Sequence, residues 1–253
     1  MNKIFISFIF LLLLTSCASR KDVVYLSQLE GDKTEELSSY ETTLQPDDLL
    51  SIIVNSKASK LALDFNPPPV ILQTNSESMT AQQRLQTYLI DKDGYIEFPE
   101  IGKIKLGGLT REEAITTLTQ ALQPHLSDAR INLRILNYKI SIQGEVARPG
   151  VYRVDSDRVT LLEGLSMAGD MTIYGKRKEV LLIREFNGKR TFTKVDITDP
   201  NFINSDFYYL KQNDVVYVEP NKTRVNSSVV GPNLTVAISA ISLLVTVFAV
   251  LTR

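Results

Sequence analysis

Apolar and polar residues alternate along this chain in blocks that change period. Leu49 to Val54 has strand composition, and "INLRIL" and "YKISIQ" alternate with apolar residues at Ile131, Leu133 and Ile135, then Tyr138, Ile140 and Ile142, as half-buried strands do. "LTREEAITTLTQALQP" switches to a helical period. Ala114/Ile115, Leu118 and Ala121/Leu122 form one stripe, Thr110 and Glu113 have capping-box spacing, and Pro124 stops the run. A shorter copy comes next, with Thr160 and Glu163 as the cap, Leu161, Leu162 and Leu165 as the face, and Gly169 closing it. Val180 to Phe186, Thr191 to Val195 and Val215 to Val218 read as further strands. Two small sheets, each crossed by one helix, predict an α+β chain.

The blocks between are less regular. Asn55 to Thr87, with Pro67-Pro68-Pro69, reads as a surface excursion with a short helix around Thr80 to Tyr88. Asp93-Gly94 between apolar runs predicts a hairpin turn. A calcium loop on Asp91-x-Asp93-Gly94 lacks the further ligands and closing glutamate at their spacing.

Both ends are apolar. Lys3, an eleven-residue run Ile4 to Leu14 and then Leu14-Thr15-Ser16-Cys17 make residues 1–16 a signal peptide, too short to span a bilayer. The residues before Cys17 resemble a bacterial lipobox, which implies lipid attachment at that cysteine. Residues 17–43 then read as the lipidated N-terminus and a polar tether, broken only by Val23 to Leu26. At the other end, Leu234 to Leu251 is eighteen residues without charge or proline, about 27 Å as a helix. This predicts a transmembrane helix at 234–251, after a linker at 221–233. Thr235, Ser239, Ser242 and Thr246, spaced 4, 3 and 4, fall on one face, opposite Val236, Leu243, Val247 and Val250. Small residues let membrane helices pack closely, and a ring of such faces also encloses a lumen; both readings stay open.

Composition narrows the rest. Cys17 is the only cysteine, so an exported chain has no internal disulfide and depends on its core. The 237 residues after the signal carry 27 Lys+Arg against 29 Asp+Glu, with no basic excess for nucleic acid. The one histidine, His125, sits at a helix end and reads as a surface residue; Glu97 and Glu100 read as a solvated hairpin edge rather than a glycosidase pair. Gly107-Gly108 lacks the lysine and further glycines of a phosphate loop. No catalytic residue, metal ligand or cofactor is expected.

"YETTLQPDDLLSIIV" and "DGYIEFPEIGKIKLGGLTREEA", through Gly94, Pro99, Gly102, Gly108, Thr110 and Ala114, resemble the export domain of the Wza-type outer-membrane polysaccharide export lipoproteins. Asp47 stands where that family has glycine. "ISIQGEVARPGVYRV" and "TLLEGLSMAGDMT", through Gly144, Pro149, Gly150, Thr160, Leu162, Ala168 and Gly169, resemble its β-grasp module, SLBB. The resemblance implies an export domain at 44–136, an SLBB domain at 137–220 and a non-enzymatic outer-membrane channel subunit for capsular polysaccharide or exopolysaccharide. It further implies a homo-oligomeric ring, typically an octamer, whose C-terminal helices form an α-helical barrel, with an inner-membrane co-polymerase or tyrosine autokinase as partner. The competing expectation is a lipid-anchored periplasmic adaptor that binds a glycan or ligand and forms no pore.

Overall fold

A computed structural model describes residues 23–27, 42–66, 87–186, 188–229 and 232–251. Cys17, the signal peptide and the Pro67–Pro69 run lie outside these residues. So does the helix expected near Thr80, except for its last positions, where Tyr88 is in a strand.

Two apolar cores organise the described chain. The first is built on β1 (Leu49–Asn55), flanked antiparallel by β2 (Tyr88–Leu89) and β5 (Arg130–Ile135). Leu50, Ile52 and Val54 alternate into the core, as a sheet with one covered face requires. The cover is α2 (Arg111–Leu122), which buries Ala114, Leu118 and Leu122 four residues apart. Its capping box forms in full, with Thr110 accepting from the Glu113 amide and Glu113 from the Thr110 amide. A hairpin of β3 (Tyr95–Phe98) and β4 (Gly102–Lys105) adds Ile96, Phe98 and Ile104.

The second core lies under a five-stranded mixed sheet ordered β10-β9-β12-β6-β7. Its elements are β6 (Lys139–Gly144), β7 (Gly150–Arg153), β9 (Val180–Phe186), β10 (Lys189–Val195) and β12 (Val215–Val218). β6 and β12 pair in parallel and the other neighbours antiparallel. The single crossing helix is α3 (Leu161–Met167), which again carries a complete capping box, on Thr160 and Glu163. A two-residue ribbon of β8 (Val159–Thr160) and β11 (Tyr209–Leu210) pins its start. Ile140, Ile142, Leu182, Val216 and Val218 line the second core and are almost fully buried, each contributing on the order of 2 kcal/mol.

Four expectations are corrected. The surface excursion contains a helix, α1 (Ser59–Phe65), which buries Ala62 and plants Phe65 in the first core. The hairpin is displaced: Asp91 to Gly94 makes a tight turn because β2 is taken up by β1, and the paired hairpin is the next one, β3–β4. The apolar break expected in the tether at Val23 to Leu26 is docked and not free chain, since Tyr25 and Leu26 pack on the second core. The linker at 221–233 is largely helical, as α4 (Lys222–Val229), and the last helix, α5 (Pro232–Leu251), begins before Leu234.

Candidate functional site

The C-terminal exit grows out of the centre of the second sheet. After β12, the Asn221 amide donates to the Tyr174 carbonyl at 2.8 Å, and the Lys176 amide donates to the Glu219 carbonyl at 2.9 Å. Lys176 Nζ also lies 2.9 Å from Glu219 Oε2. Arg224, in the first turn of α4, reaches Glu145 Oε1 at 3.0 Å and sits over the Tyr174 ring. The foot of α4 is therefore tied to the loop between α3 and β9.

α5 continues for 20 residues, about 30 Å. Its described side chains are all exposed, Leu243, Leu244, Val245 and Val250 among them, so it stands clear of both cores. Ser242 donates to the Ile238 carbonyl at 2.9 Å and Thr246 to the Ser242 carbonyl at 2.8 Å. These hydroxyls are satisfied four residues back within their own helix, which lets them occupy an apolar medium without a partner. Ser239 lies on the same exposed face, and the Thr235 side chain lies outside the described ones. Among the described residues no helix is long and apolar enough to cross a membrane, so the expected span is not shown.

The motif glycines and prolines serve backbone geometry. Gly94 accepts from the Leu106 and Gly107 amides at 2.9 and 2.8 Å, locking the turn to the end of β4. A Cβ on Gly107 would lie 2.6 Å from Gly94 Cα, so the two backbones touch. Pro99 and Gly102 bound the β3–β4 turn, Gly108 leads toward α2, and Gly169 comes just after α3. Pro149 and Gly150 open β7. Asp47 takes φ +69, so an aspartate adopts the left-handed conformation that glycine adopts freely.

Sequence reasoning missed the joint between the cores. The Asn137 amide group donates to the Asp47 carbonyl at 2.8 Å, and its oxygen accepts from the Leu49 amide at 2.9 Å. Gln212 donates to the Asn137 carbonyl at 3.0 Å and accepts from the Lys139 amide at 2.8 Å. Asp48 is fully buried beside this network, and burial raises its carboxyl to about 6. Only its strand-edge position after Pro46 hinted at this.

Next to the joint, a cleft of about 400 Å³ is lined by Arg111, Glu112, Arg134, Asp155, Asp157 and Arg158. Three cations face three anions, and Arg111 already pairs with Asp157 at 3.2 Å, so the cleft offers polar contacts without a net sign. It holds no nucleophile–base pair. His125 is exposed, with its ring 5.8 Å from that of Phe65, and Glu97 and Glu100 lie exposed on the β3–β4 hairpin. Asp91 is used as a turn acceptor for the Asp93 and Tyr95 amides.

Residues 36–136 match the model of the polysaccharide biosynthesis/export protein family. The chain is 30% identical over 153 residues to the EPS I polysaccharide export outer membrane protein EpsA of Ralstonia solanacearum, covering 58% of this chain and 40% of that protein. With the protein of the same name from Ralstonia nicotianae it shares 26% identity over 202 residues, 74% of this chain and 50% of the relative. The chain thus spans half or less of the length of the curated relatives it matches. Both are named as export proteins and neither as an enzyme.

Proposed function

We propose that this chain, whose residues 36–136 match the polysaccharide biosynthesis/export family model, is an outer-membrane subunit for export of a capsular polysaccharide or exopolysaccharide. The family match carries the reading. The order of sequence features supports it: a lipobox-like stretch ending at Cys17, export-domain motifs within 44–136, SLBB-like motifs within 137–220, and an apolar run at 234–251. In this reading both domains are periplasmic and α5 crosses the outer membrane. Copies assemble into a ring, as the Wza-type resemblance implies for an octamer, and α5 contributes to a helical barrel. A barrel of helices meets the rule that backbone groups in lipid be satisfied internally. The hydroxyls of Ser242 and Thr246, bonded within their own helix, suit that place. An inner-membrane co-polymerase or tyrosine autokinase would dock on the periplasmic end, and the polysaccharide would pass through the lumen.

One observation favours a second reading. A polar cleft of about 400 Å³ lies between the cores. That cleft suits a lipid-anchored adaptor that binds a glycan and forms no pore.

Labelling of Arg253→Cys with a membrane-impermeant maleimide separates the two. Reaction in intact cells places the C-terminus outside and supports the channel. Reaction only after permeabilisation removes the pore and leaves the adaptor.

A further inference from the structure

The loop between α3 and β9 is gripped from two sides. On one side lies the short segment just after the proposed lipid anchor. The Leu26 amide donates to the Ile197 carbonyl at 3.1 Å and the Ser27 amide to the Thr198 carbonyl at 3.0 Å. The Tyr25 hydroxyl donates to Asp170 Oδ1, and its ring lies 5.5 Å from the Arg177 guanidinium carbon. Tyr25 and Leu26 are partly buried against the second core. Two residues of this neighbourhood, Leu26 and Asp170, hold positive φ, at 50° and 71°.

On the other side lies the C-terminal exit. Gly175 bridges to Pro220, and the flanking Tyr174 and Lys176 exchange backbone hydrogen bonds with Asn221 and Glu219. Gly175 has no room for a side chain: a Cβ there would lie 2.9 Å from Val218 Cγ1 and 2.9 Å from Met171 Cε. Arg177 joins the two sides. Its guanidinium is buried, stacks on Tyr25, and donates through Nη1 to the Gly175 carbonyl at 3.1 Å and the Thr172 carbonyl at 3.3 Å. The side chain that closes over Tyr25 is therefore the one that shapes the turn holding Pro220.

We infer that loop 170–177, together with Ile197 and Thr198 just past β10, is a docking surface for the chain's own Val23–Ser27 segment, and that this docking, through Arg177, stiffens the exit from which α4 and α5 depart. The inference rests on the reading of Cys17 as the lipid site and α5 as the membrane segment. On that reading the two membrane attachments share one mount on the second domain. Five residues lie between Cys17 and Val23, so on that reading the acylated end lies within about 20 Å of the clip.

Hydrogen–deuterium exchange on the purified full chain in detergent tests it. The wild type is expected to protect the Leu26 and Ser27 amides. Tyr25→Ala is expected to release them and to speed exchange at Lys176 and Asn221 by about tenfold, with the amides of β6 and β9 unchanged. Unprotected Leu26 and Ser27 in the wild type would overturn the docking. Their release in Tyr25→Ala with Lys176 and Asn221 at wild-type rates would overturn the coupling. Should Tyr25→Ala also release the sheet, Tyr25→Leu decides, since it keeps apolar bulk against the second core and loses both the Asp170 bond and the ring that Arg177 covers. Faster exchange at all four amides then supports the coupling, and wild-type rates at Lys176 and Asn221 overturn it. These readouts need no polysaccharide, so failure of the clip is distinct from failure of the export reading.

Discussion

Arg184 grips Asp214 with two nitrogens, Nη2 to Oδ2 at 2.6 Å and Nε to Oδ1 at 3.0 Å, at the point where the chain enters β12. Asp214 is fully buried and Arg184 nearly so. The rest of the guanidinium is spent on the Asp206 and Tyr209 carbonyls, at 3.2 and 2.9 Å, and the Lys211 amide completes the carboxylate at 2.7 Å. Removing one partner leaves a charge stranded in a low dielectric. Asp214→Ala is expected to cost about 3 to 5 kcal/mol in denaturant unfolding, whereas Arg184→Met with Asp214→Leu should cost far less. Equal losses in the single and double variants would contradict a penalty arising from the unpaired charge.

Gly144 ends β6 with φ +88, and a Cβ there would lie 2.0 Å from the Val218 carbonyl oxygen. That oxygen accepts from the Glu145 amide at 2.9 Å, so it cannot retreat without opening the parallel β6–β12 pair. Gly144→Ala is expected to lose more than about 3 kcal/mol, from both φ strain and overlap. Gly188→Ala is the control: φ is +70 but the space is empty, and only the strain of about 1 kcal/mol remains. Comparable midpoints for the two variants would refute the overlap argument.

Both capping boxes were legible because a cap is decided within four residues, and Thr110-Glu113 and Thr160-Glu163 carry all of it. The alternation at Ile140 and Ile142 was legible for the same reason. What the sequence hid were contacts whose partners lie far away in it. The apolar break at Val23 to Leu26 does not by itself mark Val23–Ser27 as docked, since Tyr25 meets Asp170 only after the second core has closed. The hairpin was misplaced because Gly94 signals a turn without fixing which strands pair across it, and β1 takes β2 as its edge. The helix at 222–229 escaped because its first turn is held by Asn221, whose side chain accepts from the Arg224 amide at 3.0 Å, within a stretch of low apolar content. The joint at Asn137 and Gln212 needs residues 75 apart and has no periodic signature.

Asp48 gives the joint a dependence on pH. Its Oδ2 accepts from the Gln45 amide at 2.8 Å, while buried Oδ1 lacks a hydrogen-bond partner among the described residues. Burial above all raises its pKa from 3.8 to about 6, with Asp47 adding to the rise and the Gln45 amide and Gln212 opposing it. Between those values the folded chain holds a proton that the unfolded chain has lost. This group's contribution therefore favours folding at low pH and is lost as pH rises through that window, by about 3 kcal/mol at most. Asp48→Asn removes the ionisation. Urea midpoints from pH 4 to 7 should show the variant gaining on the wild type until about pH 6.5 and then running parallel to it. Parallel curves throughout would mean that Asp48 ionises in the fold as it does in water.

The hydroxyls of α5 separate close packing from a lumen. Ser242→Ala and Thr246→Val remove groups bonded only to their own helix, so neither should alter assembly by more than about 0.5 kcal/mol. Ser242→Leu with Thr246→Leu adds bulk to the same face. If small residues let helices approach closely, this pair should shrink the detergent-solubilised particle measured by light scattering. If the face lines a lumen, the particle should keep its size while polysaccharide release from cells falls, because the obstruction lies in the path and not in the contact. An unchanged particle with unchanged release would place this face against lipid and remove it from both roles.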